Sequence, residues 1–236
     1  MKLTKPTEAE LRKLYKKYVE GKYIYRSQPE EHIKDILKNG FNPDKDPYKK
    51  IRPKLEKLYE LVLDLEKKRY EMILDWNGVY PNGSRAVKTS RLDLDNPFID
   101  FATDLKEAKV FVKQFQGGAI AGNAIEFIEG IRGFNIKLTS SQKKLMKELE
   151  VWARRKMKFK NVLLRVDATS KALENAKIHT FEYKMYFHSP FGSFENFKKA
   201  IEKEGLKKYM PYLKRKTKAY VRVISKIPAR EIEVLR

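Results

Sequence analysis

The sequence predicts an α+β fold, and three observations predict it. Residues 6–160 carry mostly helix-period apolar spacing, interrupted by two short strand-to-helix junctions near 23–30 and 98–107. After residue 160, three segments with strand character crowd together: NVLLRVDA (161–168), TFEYKMYF (180–187) and AYVRVISKI (219–227). The elements run as helices and early strands followed by a β-rich half, not as a strict βαβ alternation. No internal repeat or low-complexity linker divides the 236 residues, so a single domain over 1–236 with helical insertions is the simplest expectation.

The elements follow in order. Pro6 and a Thr7–Glu10 capping box open an amphipathic helix over 6–19, with Leu11, Leu14, Tyr15 and Tyr18 on one side. In KYIYRSQPEEHIKDILKNGFN (22–42), Tyr23, Ile24 and Tyr25 suit a half-buried strand. Ser27, Pro29 and Glu30 then read as a helix start with an S-x-x-E box. Ile33, Ile36 and Leu37 give that helix an apolar face, and Gly40 is placed to end it in the left-handed conformation. After the turn-rich NPDKDPYKK (42–50), Pro53 opens a helix to about Leu74, and DWNGVYPNGS (75–84) reads as a loop around Trp76.

FIDFATDLKEAKVFVKQF (98–115) repeats the strand-to-helix pattern, with Asp104 and Glu107 at the cap and Ala108, Phe111, Val112 and Phe115 on the buried stripe. The glycine-punctuated 117–133 matches no phosphate-loop spacing and reads as a short buried helix. Thr139–Met157 is amphipathic, with Leu145, Leu149 and Trp152 inward and a basic end, RRKMKFK. A helical, strongly basic excursion occupies about 193–218 and ends KKYMPYLKRKTK.

Lys and Arg number 52 against 31 Asp and Glu, a formal charge of +21, which predicts attraction to polyanions with nucleic acid as the leading partner. The expected contacts are Arg154, Arg155, Lys156 and Lys158 in one tract and Lys207, Lys208, Lys214, Arg215 and Lys216 in another. Interleaved Phe159, Tyr209 and Tyr212 offer base-stacking surfaces. Cysteine is absent, which excludes disulfides and Cys-ligated zinc. The three histidines show no ligand spacing, so no metal is expected. With no apolar run of membrane-spanning length and no signal-peptide pattern, no membrane partner and a cytoplasmic setting are expected. Abundant lysine and glutamate without cysteine is also the composition of a thermophile protein.

Three polar groups stand out because they sit on strands or strand ends: Arg26 closing YIYR, Thr103 in FAT, and Glu182 in the otherwise aromatic EYKMYF. An arginine beside helix N–H groups suits a phosphate. An acid on an apolar strand needs a partner.

The order of these segments resembles the ADP-ribosyltransferase fold. YRSQPEEHIKDILKNGF, DFATDLKEAKVFV and the closing IPAREIEVL (227–235) carry the resemblance, which covers most of the chain as a series of weak motifs. It implies a split antiparallel sheet with helical insertions and NAD as the substrate. Arg26, with Ser27 beside it, would hold the NAD ribose or phosphates, and Phe101 and Thr103 would line the second motif. FAT stands where one branch of the family has Ser-Thr-Ser. The catalytic glutamate has two locations: Glu182, favoured by chain order, or the Glu231–Glu233 pair, whose E-I-E-V-L resembles the family's E-x-E-V-L motif and points to Glu233. The function implied is an NAD-dependent ADP-ribosyltransferase that modifies nucleic acid. The rival is a non-enzymatic, basic nucleic-acid-binding protein.

Overall fold

The computed structural model describes residues 6–43, 45, 48–67, 99–114, 116–133, 137–179, 187–216 and 218–235. The segment around Trp76, the end of the helix expected to reach Leu74, and most of TFEYKMYF including Glu182 lie outside them. Within them the chain is mixed α+β, with eight α-helices and an open seven-stranded antiparallel sheet. It divides into two compact units.

The first unit (1–44, 98–112, 162–236) holds the sheet. Helix α1 (Glu8–Tyr18) starts from the expected Thr7–Glu10 capping box, with both reciprocal bonds present. Strand β1 (Tyr23–Pro29) runs directly into α2 (Glu30–Asn39). This differs from the expected cap. Ser27 belongs to the strand, Pro29 occupies the N-cap, and no side chain bonds the first turn. The extended backbone continues to Pro29, so Ser27 lies outside the helix start and the S-x-x-E box does not form.

Gly40 ends α2 with φ +81° and ψ 179°, so the positive φ is present but the conformation is extended rather than left-handed helical. The reason is a close approach. Phe41 forms an antiparallel bridge with Ile227, its N–H donating to the Ile227 carbonyl at 3.0 Å and its carbonyl accepting from Ile227 N–H at 2.9 Å.

Strand β2 (Ile99–Ala102) leads into α4 (Leu105–Gln114). Asp104 caps α4 by accepting from the Lys106 N–H at 2.6 Å. Glu107 of the same first turn accepts from the Tyr220 hydroxyl at 2.8 Å. Strand β3 spans Asn161–Asp167, β4 Lys177–His179 and β5 Phe187–His188; helices α7 (Phe194–Glu204) and α8 (Leu206–Leu213) make up the basic excursion. Strand β6 (Tyr220–Val223) is shorter than the alternating pattern predicts, because Ile227 leaves the ladder to bridge Phe41. A 3-10 turn (Ala229–Glu231) then delivers β7 (Ile232–Leu235).

The strand order is β5-β4-β6-β2-β1-β3-β7. One face buries Ile24, Phe101, Leu164, Val166, Ile178, Val221 and Ile232 with apolar residues of α1, α2, α7 and α8. The other gathers Tyr25, Ala102, Leu163 and Tyr220 with Ala108 of α4.

The second unit (45–97, 113–161) is helical. In it α3 (Arg52–Lys67), α5 (Ala119–Gly133) and α6 (Ser140–Lys156) share a core of Leu55, Leu58, Tyr59, Ala121, Ala124, Ile128, Ile131 and Leu149. Helix α5 is longer than the short helix expected. Gly117 has φ +76°, and a Cβ there would stand 2.4 Å from the Lys156 backbone, so glycine is required for this approach. Thr139 and Gln142 form a complete capping box on α6. Thr139→Ala is expected to lower stability by about 1 kcal/mol; an unchanged denaturation midpoint would remove the cap's role.

Candidate functional site

The structure brings ionisable groups together in the middle of the sheet. Asp100 on β2 faces Arg222 on β6 in register, and the guanidinium holds the carboxylate with two bonds, Nε to Oδ1 at 2.9 Å and Nη2 to Oδ2 at 2.7 Å. His179 of β4 adds Nε2 to the same Oδ1 at 3.3 Å. Its ring lies 5.6 Å from that of Tyr220, whose hydroxyl donates to Glu107 Oε1 at 2.8 Å; Lys218 pairs with the other oxygen of Glu107 at 2.9 Å. Asp100 and Arg222 are largely shielded and His179 is buried. Burial pushes the Asp100 carboxyl up, but the hydrogen bonds and charges of Arg222 and His179 outweigh it and hold it at about 2.

Arg26 adjoins this cluster. Strand β1 pairs with β2 through Tyr25 and Ala102, and Arg26 Nη1 donates to the Asp100 backbone carbonyl. The Gln28 amide oxygen, in the orientation that satisfies both groups, accepts from Arg26 Nε and Nη2. Lys177, which is exposed, stands in register with Arg222. Arg222 and His179 thus answer the Asp100 carboxylate, while Arg26 is tied to the backbone of the same residue.

The other expected residues are placed differently. Thr103 is fully buried, and its hydroxyl and N–H both donate to the Ala219 carbonyl, at 3.2 and 3.0 Å. Phe101 is fully buried with its ring edge-on to Phe41 at 5.4 Å. Ser27 is half-buried on β1. Glu231 accepts from the Ser170 hydroxyl. Glu233 is exposed on β7 and pairs with Arg165 of β3 at 2.6 Å, while that guanidinium lies 4.1 Å from the centre of the Tyr23 ring. Strand β3 separates β7 from β1, so the structure brings Arg26 next to the strand of Phe101 and Thr103 but not next to Glu231 or Glu233.

The chain matches no family model, no characterised protein and no solved structure.

Several expected nucleic-acid contacts are engaged within the protein. Arg154 pairs with Glu150 and Glu129, Lys208 with Glu204, Arg215 donates to the Tyr23 carbonyl, and Lys156 lies 5.8 Å from the centre of the Phe159 ring. Arg155, Lys158, Lys207, Lys214 and Lys216 are exposed. Tyr209 is buried and donates to the His188 carbonyl at 2.6 Å, which removes it as a base-stacking surface. Apolar i, i+4 packing turns this ring inward, where the basic sequence around it suggested the outside.

A groove of about 500 Å³ opens between α3 and α6, but its walls pair with each other, Lys54 to Glu148 at 2.6 Å, and no expected site residue lines it. Among the described residues no three His, Asp or Glu side chains stand together as metal ligands, and no helix is long and apolar enough to cross a membrane.

Asp100 and Arg222 were missed by sequence reasoning, although a signal existed. The rule that singled out Glu182, an acid on an apolar aromatic strand, applies equally to Asp100 in FIDFA. Arg222 in YVRVI is its basic counterpart.

Proposed function

We propose that this protein is an ADP-ribosyltransferase-like enzyme that uses NAD, with nucleic acid as its acceptor class. The observation that carries the reading is the meeting of the three motif-bearing segments. YIYR pairs with DFAT through Tyr25 and Ala102, and the NGF turn bridges IPAREI through Phe41 and Ile227. In this reading Arg26, at the strand end beside β2, is the group that holds the NAD ribose or phosphates. Thr103 shapes the β2–α4 turn in this reading rather than touching the substrate, because its hydroxyl is committed to Ala219.

The reaction breaks the ribose–nicotinamide bond, the bonding pair leaving with nicotinamide, while an acceptor oxygen or nitrogen bonds the same carbon and loses its proton. Positive charge builds on the sugar, as in glycoside hydrolysis, and a carboxylate near it lowers the barrier. Glu182 and Glu233 are the candidate carboxylates. Arg26→Ala is expected to reduce NAD turnover by about 100-fold or more, chiefly through weaker binding of the diphosphate. Turnover that is unchanged in this variant would remove Arg26 from the site.

A second reading, a non-enzymatic nucleic-acid-binding protein, is favoured by the exposed cations Arg155, Lys158, Lys207, Lys214 and Lys216. It predicts salt-sensitive binding with no NAD consumption.

A further inference from the structure

Helix α8 ends in the turn Lys214–Arg215–Lys216. The Lys216 N–H donates to the Pro211 carbonyl at 2.9 Å and the Arg215 N–H to the Tyr212 carbonyl at 3.0 Å, the paired bonds of a Schellman cap. The position that favours glycine in this motif is occupied by Arg215, with φ +54°, the single non-glycine residue with positive φ among the described residues. Its guanidinium accounts for the choice. Nη2 donates to the Tyr23 carbonyl at 3.1 Å and ties the turn to the start of β1. A strained backbone is kept in order to fix the segment in place.

The residues flanking that tie are cationic and point to solvent. Lys214 and Lys216, on either side of Arg215, are exposed, and so is Lys22, which precedes Tyr23. None of the three has an ion-pair partner among the described residues. Arg165, over the Tyr23 ring, has its charge answered by Glu233. The nearby Tyr209 is buried, so its ring is turned away from any ligand on this surface.

We infer that Lys22, Lys214 and Lys216, held by the Arg215–Tyr23 bond, form a contact for the phosphate backbone of nucleic acid that reads charge rather than base sequence. This names the surface for the acceptor in the function proposed above and rests on that reading for the acceptor's role, but the binding is measured without NAD. Lysines displayed from a fixed turn give electrostatic, sequence-independent affinity.

The test is anisotropy of short fluorescein-labelled RNA and DNA, single- and double-stranded, between about 50 and 200 mM NaCl. The Lys214→Ala/Lys216→Ala protein is expected to bind about tenfold more weakly at the low-salt end, with a salt slope reduced by about two. Arg215→Gly keeps the turn geometry but removes the tie, and a smaller loss is expected. Arg155→Ala/Lys158→Ala, at the end of α6, is measured beside it and is expected to lose less affinity than the Lys214→Ala/Lys216→Ala protein. Circular dichroism melts report whether each variant is folded. Unchanged affinity and slope in the double lysine variant would overturn the inference, as would a loss carried by Arg155 and Lys158 instead. Binding to phosphatidylserine vesicles with none to the oligonucleotides would also overturn it, in favour of a membrane surface. Loss of NAD turnover with oligonucleotide binding intact would count against the enzyme reading alone.

Discussion

Replacing Gly40 with alanine is expected to destabilise the protein by about 4 kcal/mol. Two costs combine. The conformation at φ +81° and ψ 179° belongs to a region that only glycine occupies readily. A Cβ built there would also lie 2.1 Å from the Ile227 carbonyl oxygen and 3.0 Å from the Ala229 N, both of them backbone atoms that cannot swing aside. Relief requires the Phe41–Ile227 bridge to open, which separates the NGF turn from the segment that leads into β7. Urea denaturation measures the loss, and a change below about 1 kcal/mol would mean that the two segments are not closely packed.

Asp100→Asn is the second large effect, expected at about 3 kcal/mol near neutral pH. The amide has nearly the shape of the carboxylate but takes the charge out of the two bonds Arg222 makes to it and weakens the bond to His179. The pH dependence separates this charge effect from a packing effect. In the folded protein the Asp100 carboxyl sits at about 2, against an ordinary value of 3.8. A depressed folded-state value means that the stabilisation is fully present above about pH 4 and is lost as the pH falls toward 2. Over that interval the stability gap between the unaltered protein and Asp100→Asn is expected to narrow by about 2 kcal/mol. A gap that stays constant would contradict an ionised Asp100 bound by Arg222.

The α+β class was legible because each half of the chain carries its own period: helical spacing in Leu11–Tyr18 and Leu55–Val62, and alternation in AYVRV. The capping box at Thr7 was legible for the same local reason, whereas the one at Thr139 was not singled out although Gln142 stands three positions on. What failed locally was decided by distant contacts. Ser27 has the right neighbours for a cap, yet strand β1 runs on through it to Pro29. Gly40 takes an extended rather than helical ψ because Ile227 lies against it, 187 positions along the chain. Asp100 and Arg222 each carried a signal, but their pairing was not legible for a related reason: the two residues are 122 positions apart, and only the β2–β6 register brings them together. Thr103 was singled out as a polar group at a strand end and Phe101 by the resemblance, but the sequence did not reveal that both side chains turn into the core.

The most direct test of the proposed function is release of nicotinamide from NAD labelled in that ring, with and without RNA and DNA, by the unaltered protein and by Arg26→Ala, Glu182→Gln and Glu233→Gln. The enzyme reading predicts release by the unaltered protein, its near-complete loss in Arg26→Ala, and loss in one of the two glutamine variants, which identifies the catalytic acid. No release under any condition, from protein that is folded and still binds oligonucleotides, would contradict it and leave nucleic-acid binding as the function.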